Sequence, residues 1–414
     1  MSKLQPVRGT HDLLFEETAK HRLIESVSLG VAERFGFREI ATPIFEFTDV
    51  FSRTLGETSD VVTKEMYTFE TKGGESITLR PEGTAGIARA FISGGLAQQT
   101  PLKIFYRGPM FRHERPQKGR QRQFHQIGVE LIGVAGPQAD IEVISLASHI
   151  LADLNLQGNV TLEINSLGDS ETRAFYRDAL FEYLSTRKDN LSTESQERLS
   201  RNPLRILDSK DPDDRKVLID APDLSDYLSK ESQEFFAAVR EGLAHRGISF
   251  LINSSLVRGL DYYGHTAFEF TTDAIGAQGT VLAGGRYDSL IEHMGGPPTP
   301  GIGWAAGIER LAMLLPSEME PRRIIAAIPM SNDQELLVQS LANTLRKAGY
   351  IVDIGYSGNV GKRMKRADKI KAAVAIVVGS DEVKNESVVV RNLQSGDQQV
   401  VKQADLVQHF SFLK

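Results

Sequence analysis

The stretch Phe111-Arg112-His113-Glu114-Arg115-Pro116-Gln117-Lys118-Gly119-Arg120-Gln121-Arg122-Gln123-Phe124-His125-Gln126 decides the reading of this chain. Residues 102–112 before it and 122–133 at its end have the apolar content of two long strands, and the polar loop between them predicts antiparallel pairing. From His113 through Arg122 there are four Lys or Arg residues and one acidic one. A solvated hairpin tip accounts for that composition by itself. The residue types say more. Arg112 and Glu114 fall on one face of a strand, and Phe124 and Gln126 on one face of the next. Arginine offers a fork for phosphate, phenylalanine a stacking face for a base, and glutamate an acceptor for an exocyclic amine. The pattern reads as a nucleotide site built on a sheet.

Outward from it, Ile24, Val27, Val31 and Phe35 recur at helical spacing over residues 16–35, and Gly36 stops the helix. Residues 40–47 are strand-like but contain Pro43, which predicts a break, an edge or an interface. Residues 66–69 and 76–79 form a predicted hairpin across Lys72-Gly73-Gly74, and 84–92 a helix. From 169 to 246 the sequence becomes charged and helix-like, notably at 171–184 and 230–245, which reads as an inserted helical module. Gly-rich strands return at 250–256, 267–272 and 280–283, and residues 301–315 are predicted to be a helix entered through glycines. The first domain is thus discontinuous, 1–168 and 247–316, around an insertion at 169–246. A Pro/Glu/Met stretch at 316–321 precedes alternating strands and helices, predicting a small α/β domain over 321–414.

Composition narrows the function. With 414 residues, 41% of them hydrophobic and 25% charged, the chain is globular rather than disordered or fibrous. No apolar run approaches a membrane span and no signal pattern opens the chain, so a soluble, cytoplasmic protein is expected. The absence of cysteine excludes a disulfide framework, a thiolate zinc site and a thiol nucleophile. The nine histidines lack metal-ligand spacing and no metal site is expected. Phosphate-loop, zinc-protease and serine-hydrolase motifs are absent, and Gly301-Ile302-Gly303 has the wrong spacing for a dinucleotide loop. The net charge of −6 permits nucleic acid where basic residues cluster.

Other stretches carry chemistry. Arg80-Pro81-Glu82-Gly83-Thr84 puts a carboxylate and a hydroxyl at a helix entry, where Thr84 taken alone reads as an N-cap. Arg258-Gly259-Leu260-Asp261-Tyr262-Tyr263-Gly264 packs charged and phenolic groups between glycines. Gly284-Gly285-Arg286-Tyr287-Asp288 adds another polar group, and residues 303–310 end in Glu309-Arg310. Lys362 to Lys371 contains six basic residues and one acidic one, a local reversal of sign that favours phosphate contact with RNA over a merely solvated face.

Together these elements resemble the catalytic domain of class II aminoacyl-tRNA synthetases, and at finer grain the histidine-specific family among them, over essentially the whole chain. Class-level elements are the Pro43 segment, similar to the dimer-interface motif, the Phe111-Arg112-His113-Glu114 stretch, and residues 303–310. The segments around Arg258 and Arg286 resemble the two histidine-specific signatures. Arg8-Gly9-Thr10-His11-Asp12-Leu13-Leu14 matches the N-terminal segment, with Phe15 where proline is usual, a departure expected to alter only a surface turn. The resemblance implies an α+β catalytic domain with a mixed, mainly antiparallel sheet, a helical insertion and a C-terminal α/β anticodon-binding domain.

It also implies ATP-dependent ligation of L-histidine to tRNA(His) through histidyl-adenylate, in a homodimer, with Mg2+ bound mainly through the ATP phosphates. By the same resemblance Arg258 and Arg112 are catalytic. Arg112, Glu114, Phe124 and Arg310 bind ATP, while Glu82, Gly83, Thr84, Gln126, Glu130, Tyr262, Tyr263 and Tyr287 bind histidine. Arg115, Gln117, Lys118, Arg120 and Arg122 meet the tRNA acceptor end, and Lys362, Arg363, Lys365 and Arg366 the anticodon. The alternative is the non-catalytic, synthetase-like regulatory subunit of ATP phosphoribosyltransferase, which shares the catalytic fold.

Overall fold

The computed structural model describes residues 3–54, 61–207, 209–257, 262–276, 279–317 and 323–413. The chain divides into two compact units, Met1–Ser317 and Glu318–Lys414. Unit 1 contains strands β1 (Arg38–Glu39), β2 (Phe45–Phe47), β3 (Tyr67–Glu70), β4 (Ser76–Leu79), β5 (Leu102–Phe111), β6 (Gln123–Ile132), β7 (Thr161–Ser166), β8 (Leu251–Ile252), β9 (Gly264–Thr271), β10 (Thr280–Arg286) and β11 (Gly301–Gly307). Eight of them form one sheet in the order β1-β5-β6-β11-β10-β9-β7-β8, antiparallel except for the β1–β5 and β7–β8 edge pairs. The remaining three, β2, β4 and β3, make a small antiparallel sheet that contains the expected hairpin.

Period-two alternation divides the main sheet. Phe105 on β5, Ile127, Val129 and Leu131 on β6, and Ile302, Trp304 and Ala306 on β11 enter one core with Ile24 and Val31 of helix Glu16–Arg34 and Val143 and Ile144 of helix Gln138–Asp153. Trp304 Nε1 donates to the Val143 carbonyl at 2.9 Å, fastening sheet to helix. The opposite face, with Ile104, Tyr106 and Ile132, packs against helix Thr84–Ser93 and the helices of residues 170–227. On β6 that face carries Phe124, Gln126, Gly128 and Glu130.

Two local expectations change, and a third is met. Residues 301–307 are a strand, not the start of a helix, and the helix is only Ile308–Leu314. The glycines at 301, 303 and 307 do not loosen a helix entry; they clear the site face of β11 while Ile302, Trp304 and Ala306 fill the core. Of the strand predicted at 250–256 only Leu251–Ile252 forms, because Asn253 turns the chain, its Oδ1 accepting from Ser255 N at 3.0 Å. At the entry to helix Glu16–Arg34, Phe15 has φ 42° and is 81% exposed. A proline there would fix φ near −65°, so this surface turn is built differently from the usual one.

Unit 2 has strands β12 (Ile324–Pro329), β13 (Ile351–Ile354), β14 (Val374–Val378), β15 (Ser387–Asn392) and β16 (Gln398–Lys402) in the order β13-β12-β14-β15-β16. The first three are parallel and the last two antiparallel. Helix Glu335–Lys347 covers one face and helix Val360–Lys369 the other. No described helix is long and apolar enough to cross a membrane.

Candidate active site

A cleft on the site face of the main sheet is lined by Glu82, Thr84, Arg112, Glu114, Phe124, Gln126, Tyr262, Tyr263 and Arg310, among others. The hairpin of β5 and β6 sets its first wall. Arg112 continues the ladder past the end of β5, its N–H donating to the Arg122 carbonyl at 3.0 Å, and its guanidinium lies 5.4 Å from the Phe124 ring centroid. Arg112 Nε donates to the Pro81 carbonyl at 2.9 Å, which aims the rest of the fork into the cleft. Arg310, in the helix Ile308–Leu314 that follows β11, donates to the Thr280 carbonyl at 2.5 Å and the Gly119 carbonyl at 3.3 Å. Burial, with Arg120 nearby, lowers its proton affinity. A flat ring and two guanidinium groups thus border one space, with Glu114 held beside them by Arg120 at 2.8 Å.

The second half of the site is more enclosed. Glu82 does what Thr84 was expected to do: its carboxylate accepts from Thr84 N at 2.6 Å and Ala85 N at 2.7 Å, satisfying two of the free amides of helix Thr84–Ser93. Gly83 occupies the N-cap position and Thr84 is released from capping. Its Oγ1 donates instead to Glu130 Oε1 at 2.7 Å. Tyr287 Oη donates to the other oxygen, Oε2, at 2.5 Å. Glu130 is 0% exposed, and burial pushes its carboxyl up to about 8, against the pull of the two hydroxyls. Tyr262 and Tyr263 stack at 4.5 Å between centroids, and Tyr287 meets Tyr262 edge-on at 5.9 Å. Gln126 Oε1 is buried with no hydrogen-bond partner among the described residues, an amide oxygen left for a ligand to satisfy.

Arg286 anchors this half from below. It is 0% exposed, pairs with Asp140, and donates to the Val134 and Gly136 carbonyls and to Asp288. The adjacent Tyr287 is thereby fixed. Nothing in the spacing of residues singled out Asp140, since an aspartate in the first turn of a helix reads as an ordinary dipole partner.

Arg258 lies outside the described residues, as do Gly259, Leu260 and Asp261. Of the acceptor-end residues, Arg115, Gln117 and Lys118 are exposed. Arg122 is not held out in the same way: its guanidinium turns inward to the Glu114 and Arg8 carbonyls, and its stem packs over Gly9. Arg120 is likewise engaged with Glu114. In unit 2, Arg363 needs correcting as a contact for the anticodon. It is 5% exposed and its fork is consumed by the carbonyls of Gly355 and Gly358 and the carboxylate of Glu335. Arg366 is exposed but gripped by both oxygens of Asp353, at 2.9 Å each, whereas Lys362 and Lys365 are exposed.

The fold also gathers histidines that sequence spacing left scattered. His21, His125 and Glu309 bring their ligand atoms within 4.8 Å of one another. Glu309 accepts from His125 N and meets His125 Nδ1 at 2.8 Å, so the carboxylate serves as a brace tying the helix that carries Arg310 to β6.

Residues 9–311 match the family described as histidyl-tRNA synthetase, and residues 325–412 match an anticodon binding domain. The chain is similar to the histidine--tRNA ligase of Rhodospirillum rubrum, 62% identical over 402 residues and 97% of each chain. It is 55% identical to that of Gluconobacter oxydans over 411 residues and 99% of each. Among solved structures it is similar to apo S. aureus histidyl-tRNA synthetase, with TM-score 0.82 and 35% identity over 99% of this chain and 100% of that one. The fold is that of a class II aminoacyl-tRNA synthetase. Within that class, the chain belongs to the histidyl-tRNA synthetase family.

Proposed function

We propose that this protein ligates L-histidine to tRNA(His) in two steps, first forming histidyl-adenylate and pyrophosphate from histidine and ATP, then passing the histidyl group to the terminal ribose. The observation that carries this reading is Glu130, a fully buried carboxyl held by two hydroxyls, one of which, Thr84, lines a cleft bordered by arginines and a phenylalanine. Phe124 and Arg310 sandwich adenine and Glu114 accepts from its amino group. Arg112 holds the α-phosphate, and Arg258 is the second catalytic cation that the family resemblance implies. In-line displacement at phosphorus needs alignment and positive charge more than a covalent catalyst. Glu82, Thr84 and Gln126 receive the α-ammonium. Glu130 and Tyr263 face the imidazole, with Tyr262 and Tyr287 behind, so an apolar analogue would leave buried groups unpaired and be rejected.

Magnesium would arrive with the triphosphate. The carboxylates lining the cleft are already engaged, Glu114 with Arg120 and Glu269 with Thr280, which suits an ion held chiefly by phosphate oxygens. The small sheet supports a homodimer: Ile44, Phe45, Phe47 and Phe69 are 43%, 56%, 59% and 44% exposed, an apolar patch that a second copy would cover. Arg115, Gln117 and Lys118 meet the acceptor end of tRNA, and Lys362 and Lys365 the anticodon stem-loop. A cysteine-free chain suits the cytoplasm, where we place it. The regulatory-subunit alternative has less support, because relatives matched over nearly the whole chain carry the ligase name. Histidine-dependent exchange of pyrophosphate into ATP by the purified protein tests the reading. Exchange with histidine and with no other amino acid is expected, and none with histidine would overturn it.

A further inference from the structure

Tyr106 stands in the middle of β5, in register with Gly128 of β6, and is 4% exposed. Its ring is wedged between two glycines: a Cβ on Gly83 would lie 2.2 Å from Cε2, and one on Gly128 would lie 2.3 Å from Cζ. Packing alone would be served by phenylalanine, without burying a hydroxyl. Yet Oη is buried and closes no hydrogen bond among the described residues, although the Thr84 hydroxyl and the Glu130 carboxyl adjoin it. Burial and the neighbouring Glu130 and Glu82 carboxylates keep the phenol protonated well above its usual range, so it remains both a donor and an acceptor.

Thr84 and Tyr287 already direct their protons at the two oxygens of Glu130. A carboxyl that titrates at about 8 carries a proton of its own at neutral pH, and Tyr106 is the neighbouring hydroxyl left without a bond. Resting on the function proposed above, we propose that Tyr106 is a positioning residue that governs the proton on Glu130 during histidine recognition. In the free protein the phenol stands unbonded beside the carboxyl; when the imidazole nitrogen takes the carboxyl proton, the phenol turns and donates to the carboxylate. One proton moves from a carboxyl oxygen to a ring nitrogen, leaving an imidazolium–carboxylate pair with no net proton gained or lost. The other titratable groups facing the pair are Glu82 before helix Thr84–Ser93, Tyr287 after β10, and Tyr262 and Tyr263 before β9, with Arg112 acting on Glu82.

This exchange gives histidine binding a pH window. Below about pH 6.5 free histidine already holds the proton, and above the titration of Glu130 the protein has lost it. In either case a proton must be released or taken up, and affinity falls.

The test is Tyr106→Phe in the full chain, with the KM for histidine and for ATP measured in pyrophosphate exchange across pH. We expect the histidine KM to rise about tenfold or more, the scale of one hydrogen bond to a charged group, with the ATP KM and melting temperature unchanged. The alkaline limb of histidine affinity should move to higher pH, because the ionised carboxylate has lost a donor. An unchanged histidine KM and limb overturns the proposal, and so does a parallel rise in both KM values with the limb unmoved. Calorimetry of histidine binding to the unaltered protein, in buffers of different ionisation enthalpy, is a second test. It should show almost no proton exchange near about pH 7 and uptake approaching one proton near about pH 9; no uptake at the higher pH overturns the proposal. An unaltered protein without any histidine-dependent exchange would instead sink the proposed function.

Discussion

Glu130 Oε2 and Tyr287 Oη lie 2.5 Å apart although 157 residues separate them, and that contact joins the second half of β6 to the residue that follows β10. The carboxyl it holds should leave a mark on stability. Its ordinary value near 4.5 applies to the unfolded chain, while in the fold it stands at about 8. Between those values the folded state keeps a proton that the unfolded state releases, so stability falls as pH rises through the window and the loss is complete above about 8. Glu130→Gln removes this dependence. Relative to the unaltered protein, the variant should gain on the order of a few kcal/mol between about pH 5 and pH 8, with a flat difference beyond. Parallel unfolding curves across that range would show that Glu130 ionises normally.

Gly303 faces Glu130 across the β6–β11 ladder, and a Cβ there would lie 1.8 Å from Glu130 Oε2. Gly303→Ala must therefore push the carboxyl off the Tyr287 hydroxyl. We expect histidine-dependent exchange to drop by about a hundredfold or more, in line with a displaced and unpaired buried polar group, while nucleotide binding measured with an ATP analogue stays within about threefold. Full activity in this variant would mean that β11 can shift without cost.

The basic run of unit 2 should split by substitution. Arg363→Ala removes an internal clamp between Gly355, Gly358 and Glu335, and should lower the stability of unit 2 by about 2–4 kcal/mol, leaving a buried carbonyl unpaired. Lys365→Ala, at an exposed position, should leave melting unchanged, weaken tRNA binding and reduce its salt dependence. Equal effects of the two on stability would contradict the burial of Arg363.

A chain ended at Ser317, the boundary of the first unit, should retain histidine activation once shown to be folded, and should charge tRNA at least tenfold more slowly. Oligomeric state has to be followed in parallel. Charging at the full-length rate would remove the C-terminal unit from tRNA recognition.

Much of unit 1 is legible in residues alone, and the failures share a cause. The long hairpin shows because two apolar runs flank a polar loop, with Ile127, Val129 and Leu131 alternating with Gly128 and Glu130 along the second. Residues 301–307 mislead because glycine has no side chain to report a period, so a strand with three glycines on its open face looks like a helix entry. Charge counting finds Arg122 and Arg363 but cannot see that neighbouring carbonyls already occupy them. Thr84 and Glu82 exchange the roles that propensity assigns, since either can serve a helix start and only the fold decides which one Glu130 takes. Tyr106 and Asp140 gave no signal, one lying in an apolar strand and the other in a helix turn, because their partners come from distant segments.

The pairing of Glu130 with Gly303 also fixes an order of events in the making of the chain. β6 leaves the ribosome long before β11 exists; at ~5–20 residues per second the wait is on the order of ten seconds or more. During that interval one edge of a ten-residue strand has no neighbour, and it is the edge that will later form the middle of the sheet. The growing polypeptide therefore leaves that edge open at intermediate lengths, and the cleft is complete only once the segment through Arg310 has been added.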